Sequence, residues 1–151
     1  MNAIVTMDGY TLPSGFILKE LCIMYSNGEY DYFLFSKPDI PLTAKDKETI
    51  QYTTANLNNI SFDDGDIPYT LIQSILEKVK HFRVYTYSDI ATRILQGYLP
   101  TTFIKNIQEI GKFKLPTELP DSKCFRNHNQ RYCAKAKAIA VYEKLFEMFI
   151  I

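Results

Sequence analysis

Two β-rich apolar runs, residues 16–25 (FILKELCIMY) and 30–35 (YDYFLF), flank the turn signal Ser26-Asn27-Gly28-Glu29. A Gly-bearing tetrad between two such runs predicts a hairpin, and a hairpin needs a further layer to bury its apolar face. Residues 3–7 supply a third apolar run that ends at Asp8-Gly9, and Pro13-Ser14-Gly15 punctuates the link to the next. Three consecutive antiparallel strands are therefore expected at the N-terminus, with Pro38 and Pro41 closing the region.

The period then changes. Residues 45–57 read as a polar helix, and Asp66-Ile67-Pro68 opens a second, in which Leu71, Ile72, Ile75, Leu76 and Val79 share one face. The acidic run Asp63-Asp64-Gly65-Asp66 lacks the ligand order of a calcium loop and reads as the cap of that second helix. Residues 82–86 predict a fourth strand, followed by a short helix bearing Ile90, Ile94 and Leu95. Pro100, Pro116 and Pro120 break the next stretch into short pieces. The last helix is expected over 130–149, with Ala134, Ala138, Val141, Leu145 and Phe149 as its apolar stripe. Strands, then alternating helices and strands, then a long final helix predict one α/β domain over residues 1–151.

Charge and cysteines bound the function. Seventeen basic and seventeen acidic side chains sum to zero, which argues against nucleic-acid binding by bulk charge. The distribution is uneven, with nine basic residues against four acidic ones between Lys105 and Lys144. A basic C-terminal third can attract phosphate locally, through Arg126, Arg131, Lys135 and Lys137; the bland alternative is the solvated side of a helix. Tyr10 or Tyr132 is a candidate for stacking on a base. Cys22, Cys124 and Cys133 are too few for a disulfide framework and fit a reducing compartment. The start of the chain lacks a secretion signal's basic opening and long apolar run. No run of about eighteen apolar residues occurs, so no membrane span is expected. The expected location is cytoplasmic or nuclear.

Residues 59–95 run through Asp66-Ile67-Pro68-Tyr69, Val84-Tyr85 and Asp89, and the chain closes on His128-x4-Cys133-Ala134. That order resembles the DnaQ-like, proofreading-type 3′–5′ exonucleases. The resemblance implies a ribonuclease-H-like mixed sheet with three antiparallel N-terminal strands, alternating helices and strands, and a long C-terminal helix. Such enzymes hold two divalent metal ions on four carboxylates and use a His as general base. In their first motif, Asp-x-Glu, this chain has Asp8-Gly9-Tyr10, and Cys133 stands where the last motif has Asp. Asp8, Asp89 and His128 are the remnant catalytic candidates. An active nuclease with magnesium or manganese, rebuilt on these residues and Glu20, is the alternative reading.

Cys124-x3-His128-x4-Cys133 groups two thiols and an imidazole, a short zinc pattern that needs one more ligand. Glu20 is the expected fourth; Cys22, two residues on and so on the same strand face, is the fallback. A Glu-Cys-His-Cys set on a degenerate exonuclease fold is similar to the domain of the Maelstrom family, proteins of the piRNA pathway. The resemblance implies a structural zinc and single-stranded RNA as a partner, without the metal pair; single-stranded DNA or a protein is the alternative partner of such a module. The competing readings of single residues are a surface glutamate at Glu20, an apolar filler at Cys22, a helix cap at His128 and a core thiol at Cys133. A metal-free protein-interaction domain of viral or mobile-element origin is a third functional reading.

Overall fold

The structure, a computed structural model, describes residues 1–109, 119 and 133–148. Its strands are β1 (Asn2–Leu12), β2 (Gly15–Tyr25), β3 (Tyr30–Leu34), β4 (Arg83–Thr86) and β5 (Ile104–Asn106). Its helices are α1 (Ala44–Thr53), α2 (Ile72–Glu77), α3 (Asp89–Tyr98) and α4 (Ala134–Glu147). Among these residues the strands form one open mixed sheet in the order β3-β2-β1-β4-β5. β1 pairs antiparallel with β2, and β2 with β3, whereas β4 runs parallel to β1 and β5 parallel to β4. The chain is α/β, and its expected antiparallel start and long final helix are both present.

Period-2 alternation gives the sheet two buried faces. Ala3, Val5, Leu21, Ile23 and Val84 point to one side and meet Ile72 and Leu76 of α2 and Leu95 of α3. Ile4, Cys22, Met24 and Tyr85 point to the other and meet Ala134, Ala138, Val141 and Leu145 of α4. Four of the five residues expected in the α4 stripe are thus in that core; Phe149 lies outside the described residues. In α2, Ile72, Ile75 and Leu76 are buried as the spacing implies, but Leu71 is exposed because it belongs to the tighter 3-10 turn Tyr69–Leu71.

Several boundaries differ from the sequence reading. β1 does not end at Asp8-Gly9: a bulge there carries the strand on to Leu12, with Asp8 opposite Glu20 and Gly9 opposite Leu18. Glycine fits this bulge because a Cβ at position 9 would lie 2.0 Å from the Ile17 carbonyl oxygen. The bulge turns Tyr10 inward, where it is fully buried, packs edge-on against Phe62 and donates its hydroxyl proton to the Ile60 carbonyl. Tyr10 is therefore not a base-stacking residue. The acidic run 63–66 does not cap the second helix, whose first turn starts after Pro68 with no side-chain cap. It closes onto β2 instead: Lys19, buried on the face opposite Glu20, donates to the carbonyls of Phe35, Phe62 and Asp64. β5, three residues long, was not foreseen; so short a strand exists only through its pairing with β4. Cys133 has extended backbone (φ −74°, ψ 122°), so α4 begins at Ala134 and not near position 130.

Candidate functional site

The first turn of α4 rests on β1 and β2, where the chain's two ends bring polar side chains together. A helix start leaves orphan N–H groups, and Cys133 at the cap position supplies no side-chain acceptor. Glu20 supplies one from the neighbouring strand: its Oε1 accepts from the Ala134 N–H at 3.3 Å, across 114 residues of sequence. The Tyr32 hydroxyl donates to Glu20 Oε2. Thr6, beside them on β1, donates its hydroxyl to the Ala134 carbonyl at 2.6 Å. Glu20 is 0% exposed, so it is not the surface glutamate of the bland reading. A buried carboxylate at a helix N-terminus is stabilised by the N–H groups and the aligned peptide dipoles.

Cys133, an expected zinc ligand, is buried immediately before the N–H that Glu20, another, accepts from. Cys22 lies two residues along β2 on the same face, packed with Ile4, Ala138 and Val141. Burial pushes its thiol pKa up, and neighbouring Cys133 and Glu20 push it further. Cys124 and His128 lie outside the described residues, as do Arg126, Arg131 and Tyr132. Among the described residues, no group of three or more His, Cys, Asp or Glu side chains is arranged to hold a metal ion.

Asp8 faces the same side of the sheet from β1, directly across from Glu20. Its Oδ1 lies 3.9 Å from the Lys137 ammonium, with both side chains half-buried. Lys135, two residues earlier in α4, has its ammonium 4.3 Å from the centre of the exposed Tyr30 ring. These two lysines are held by partners and are not a freely solvated helix face. Asp8 also borders a cleft of about 360 Å³, with Gly9, Thr11, Tyr52 and Asn58 among its lining.

Asp89 is held separately. It opens α3 behind the Ser88 cap, at the end of β4, and its Oδ1 accepts from Asn106 Nδ2 at 3.0 Å. Asn106 is buried at the end of β5, the strand the sequence reading missed.

Thr6 and Tyr32 were also missed. Period 2 places Thr6 on the Asp8 face of β1, but only the position of α4 gives its hydroxyl a partner. Tyr32 stands opposite Cys22 in the β2–β3 pairing, one step from Glu20, a register the hairpin length alone does not fix.

The chain matches no protein-family model and no curated protein sequence. No helix among the described residues is long and apolar enough to cross a membrane.

Proposed function

We propose that the chain is a non-catalytic, zinc-stabilised module of ribonuclease-H-like, exonuclease-derived architecture that binds single-stranded RNA beside the first turn of α4. The observation that carries this reading is the meeting of Glu20 with the Cys133–Ala134 step at the core of the domain. The strand order, with three antiparallel strands followed by two parallel ones on the other side of β1, supports the fold assignment.

Zinc would be held by Glu20, Cys124, His128 and Cys133, and would supply folding free energy in place of catalysis. Two sulfur donors and an imidazole suit zinc and disfavour magnesium. Glu20 fits the role as an oxygen donor buried beside the Cys133–Ala134 step. The acids of a metal-pair site are otherwise engaged: Asp8 faces Lys137, and Asp89 is tied to Asn106. Lys135 and Lys137, with Arg126 and Arg131 just upstream, supply the phosphate contacts.

The test has two parts. Protein purified without added metal should carry about one zinc per chain, and Cys133→Ser should lose it. Three or four phosphate contacts should give single-stranded RNA binding a log–log salt slope of roughly −2 to −3, at about −0.7 each. Reversing Arg131 and Lys135 together to Glu should flatten that slope, while reversing Lys45 and Lys47 should not. Zinc-free wild-type protein refutes the metal reading. Absence of RNA binding at low salt refutes the RNA reading and makes a protein the partner to seek.

A further inference from the structure

On the α2/α3 side of the sheet, away from α4, a cleft of about 400 Å³ opens between the start of β2 and the end of α3. Its apolar lining comes from Phe16, Leu18 and Ile94, and the rings of Tyr69 and Tyr98 face it as well. That volume is at the low end of what small-molecule clefts occupy, typically about 300–1,000 Å³. The polar lining residues, Gln73 and Arg93 beside the two tyrosines, include one cation. Arg93 stands exposed at the rim, and among the described residues no carboxylate lies within ion-pair distance of it. A guanidinium offers five N–H donors and no acceptor. Gln73 is anchored, its amide donating to the Tyr98 carbonyl and to Glu77 Oε1, both at 3.2 Å.

Gly97 supplies the second observation. It lies one turn beyond Arg93 in α3, so both residues project toward the cleft. Its backbone does not require glycine, since its φ is not positive, and a Cβ there would meet nothing within 4 Å. Glycine inside a helix lowers its stability relative to alanine, so neither helix formation nor packing accounts for it. What it does is leave the mouth of the cleft open beside an uncompensated cation.

We infer that this cleft binds a small aromatic carboxylate, its ring held among Phe16, Ile94, Tyr69 and Tyr98 and its anion paired with Arg93. The ring gains edge and face contacts with aromatic neighbours, and the carboxylate matches the guanidinium fork. The site is independent of the zinc and RNA reading, because none of its lining residues belongs to the α4 face.

The test uses the full chain, isotope-labelled for NMR and titrated with 3-phenylpropionate, with its neutral amide and with phenyl phosphate. Shifts should map to Gly97, Tyr98 and the start of β2, and the acid should bind at least tenfold more tightly than the amide. Arg93→Gln should weaken the acid about tenfold to a hundredfold, the worth of a charge-assisted hydrogen bond, and leave the amide unchanged. Gly97→Leu should abolish binding while the melting temperature holds or rises, which separates loss of the cleft from loss of the fold. Equal binding of acid and amide overturns the assignment, as does binding that survives Gly97→Leu. No binding of either compound at millimolar concentration overturns it outright. Phenyl phosphate binding more than tenfold above the acid overturns the carboxylate and moves the ligand to phosphate monoesters.

Discussion

Removing the Glu20 carboxylate tests both its capping role and its metal role, and the two give different numbers. In Glu20→Ala, the buried Ala134 N–H loses its Glu20 acceptor, and the half-buried Tyr32 hydroxyl loses its bond to Glu20. A stranded buried donor costs about 1–3 kcal/mol and a lost hydrogen bond at a half-buried hydroxyl up to about 1 kcal/mol, so the predicted loss is about 1–4 kcal/mol. For a domain of this size each kcal/mol moves the melting temperature by about 2–4 °C, giving a drop of roughly 2–16 °C. Glu20→Gln keeps an oxygen for the Ala134 N–H and turns an amide toward Tyr32, whose hydroxyl can accept instead. It loses mainly the charge at the helix start, worth about 0.3–1 kcal/mol and up to ~2 kcal/mol when buried. The assay is thermal melting of wild type and both variants, with and without a zinc chelator. With capping alone, the chelator changes none of the three curves. With a zinc ligand as well, the chelator lowers the wild-type midpoint and leaves Glu20→Gln where it was. A Glu20→Ala protein that melts within a degree of wild type would refute the burial argument for this residue.

Two further outcomes follow from backbone geometry and titration. Gly65 has φ +134°, and a Cβ there would lie 2.2 Å from the Phe35 carbonyl oxygen, so Gly65→Ala should cost about 3 kcal/mol or more and lower the urea midpoint; an unchanged midpoint would contradict the close approach. Asp46 closes a capping box with Thr43 at the start of α1 and also accepts from Ser14. The Thr43 N–H first, and then Ser14, hold its carboxyl below the usual range. A depressed folded-state pKa contributes stability that is complete above the unfolded value, near pH 4, and is lost as pH falls through the folded one. Asp46→Asn should therefore flatten the acid limb of a stability–pH profile, and parallel limbs in the two proteins would refute this.

The parts of the fold that sequence made legible are those where periodicity and local chemistry agree. The hairpin at Ser26–Glu29 closes as expected, with the Tyr25 N–H donating to the Glu29 carbonyl. The α4 stripe followed from helical spacing because its residues meet one continuous sheet face. The failures share a cause: they depend on contacts distant in sequence. Asp8-Gly9 has the composition of a turn, and only its pairing with Glu20 and Leu18 makes it a bulge. Lys19 looks like a surface residue until three carbonyls from two other segments gather around its ammonium. At the site, Glu20 was singled out through a family pattern, but its capping of α4 was not readable from residues near position 20. Such a contact joins elements 114 residues apart.

The same contact links the site's electrostatics to the docking of α4. Asp8 and Glu20 stand directly opposite one another on β1 and β2, and like charges in that arrangement repel. Here α4 opposes each charge by a different means: the N–H of its first residue meets Glu20, and the Lys137 side chain approaches Asp8. One helix start thus relieves both carboxylates, while its apolar stripe covers Ile4, Cys22 and Met24. Withdrawing α4 would expose that apolar face and take the Ala134 N–H from Glu20 and the Lys137 ammonium from Asp8. Docking and charge neutralisation are therefore coupled. The carboxylate pair on β1 and β2 thereby helps to seat the helix.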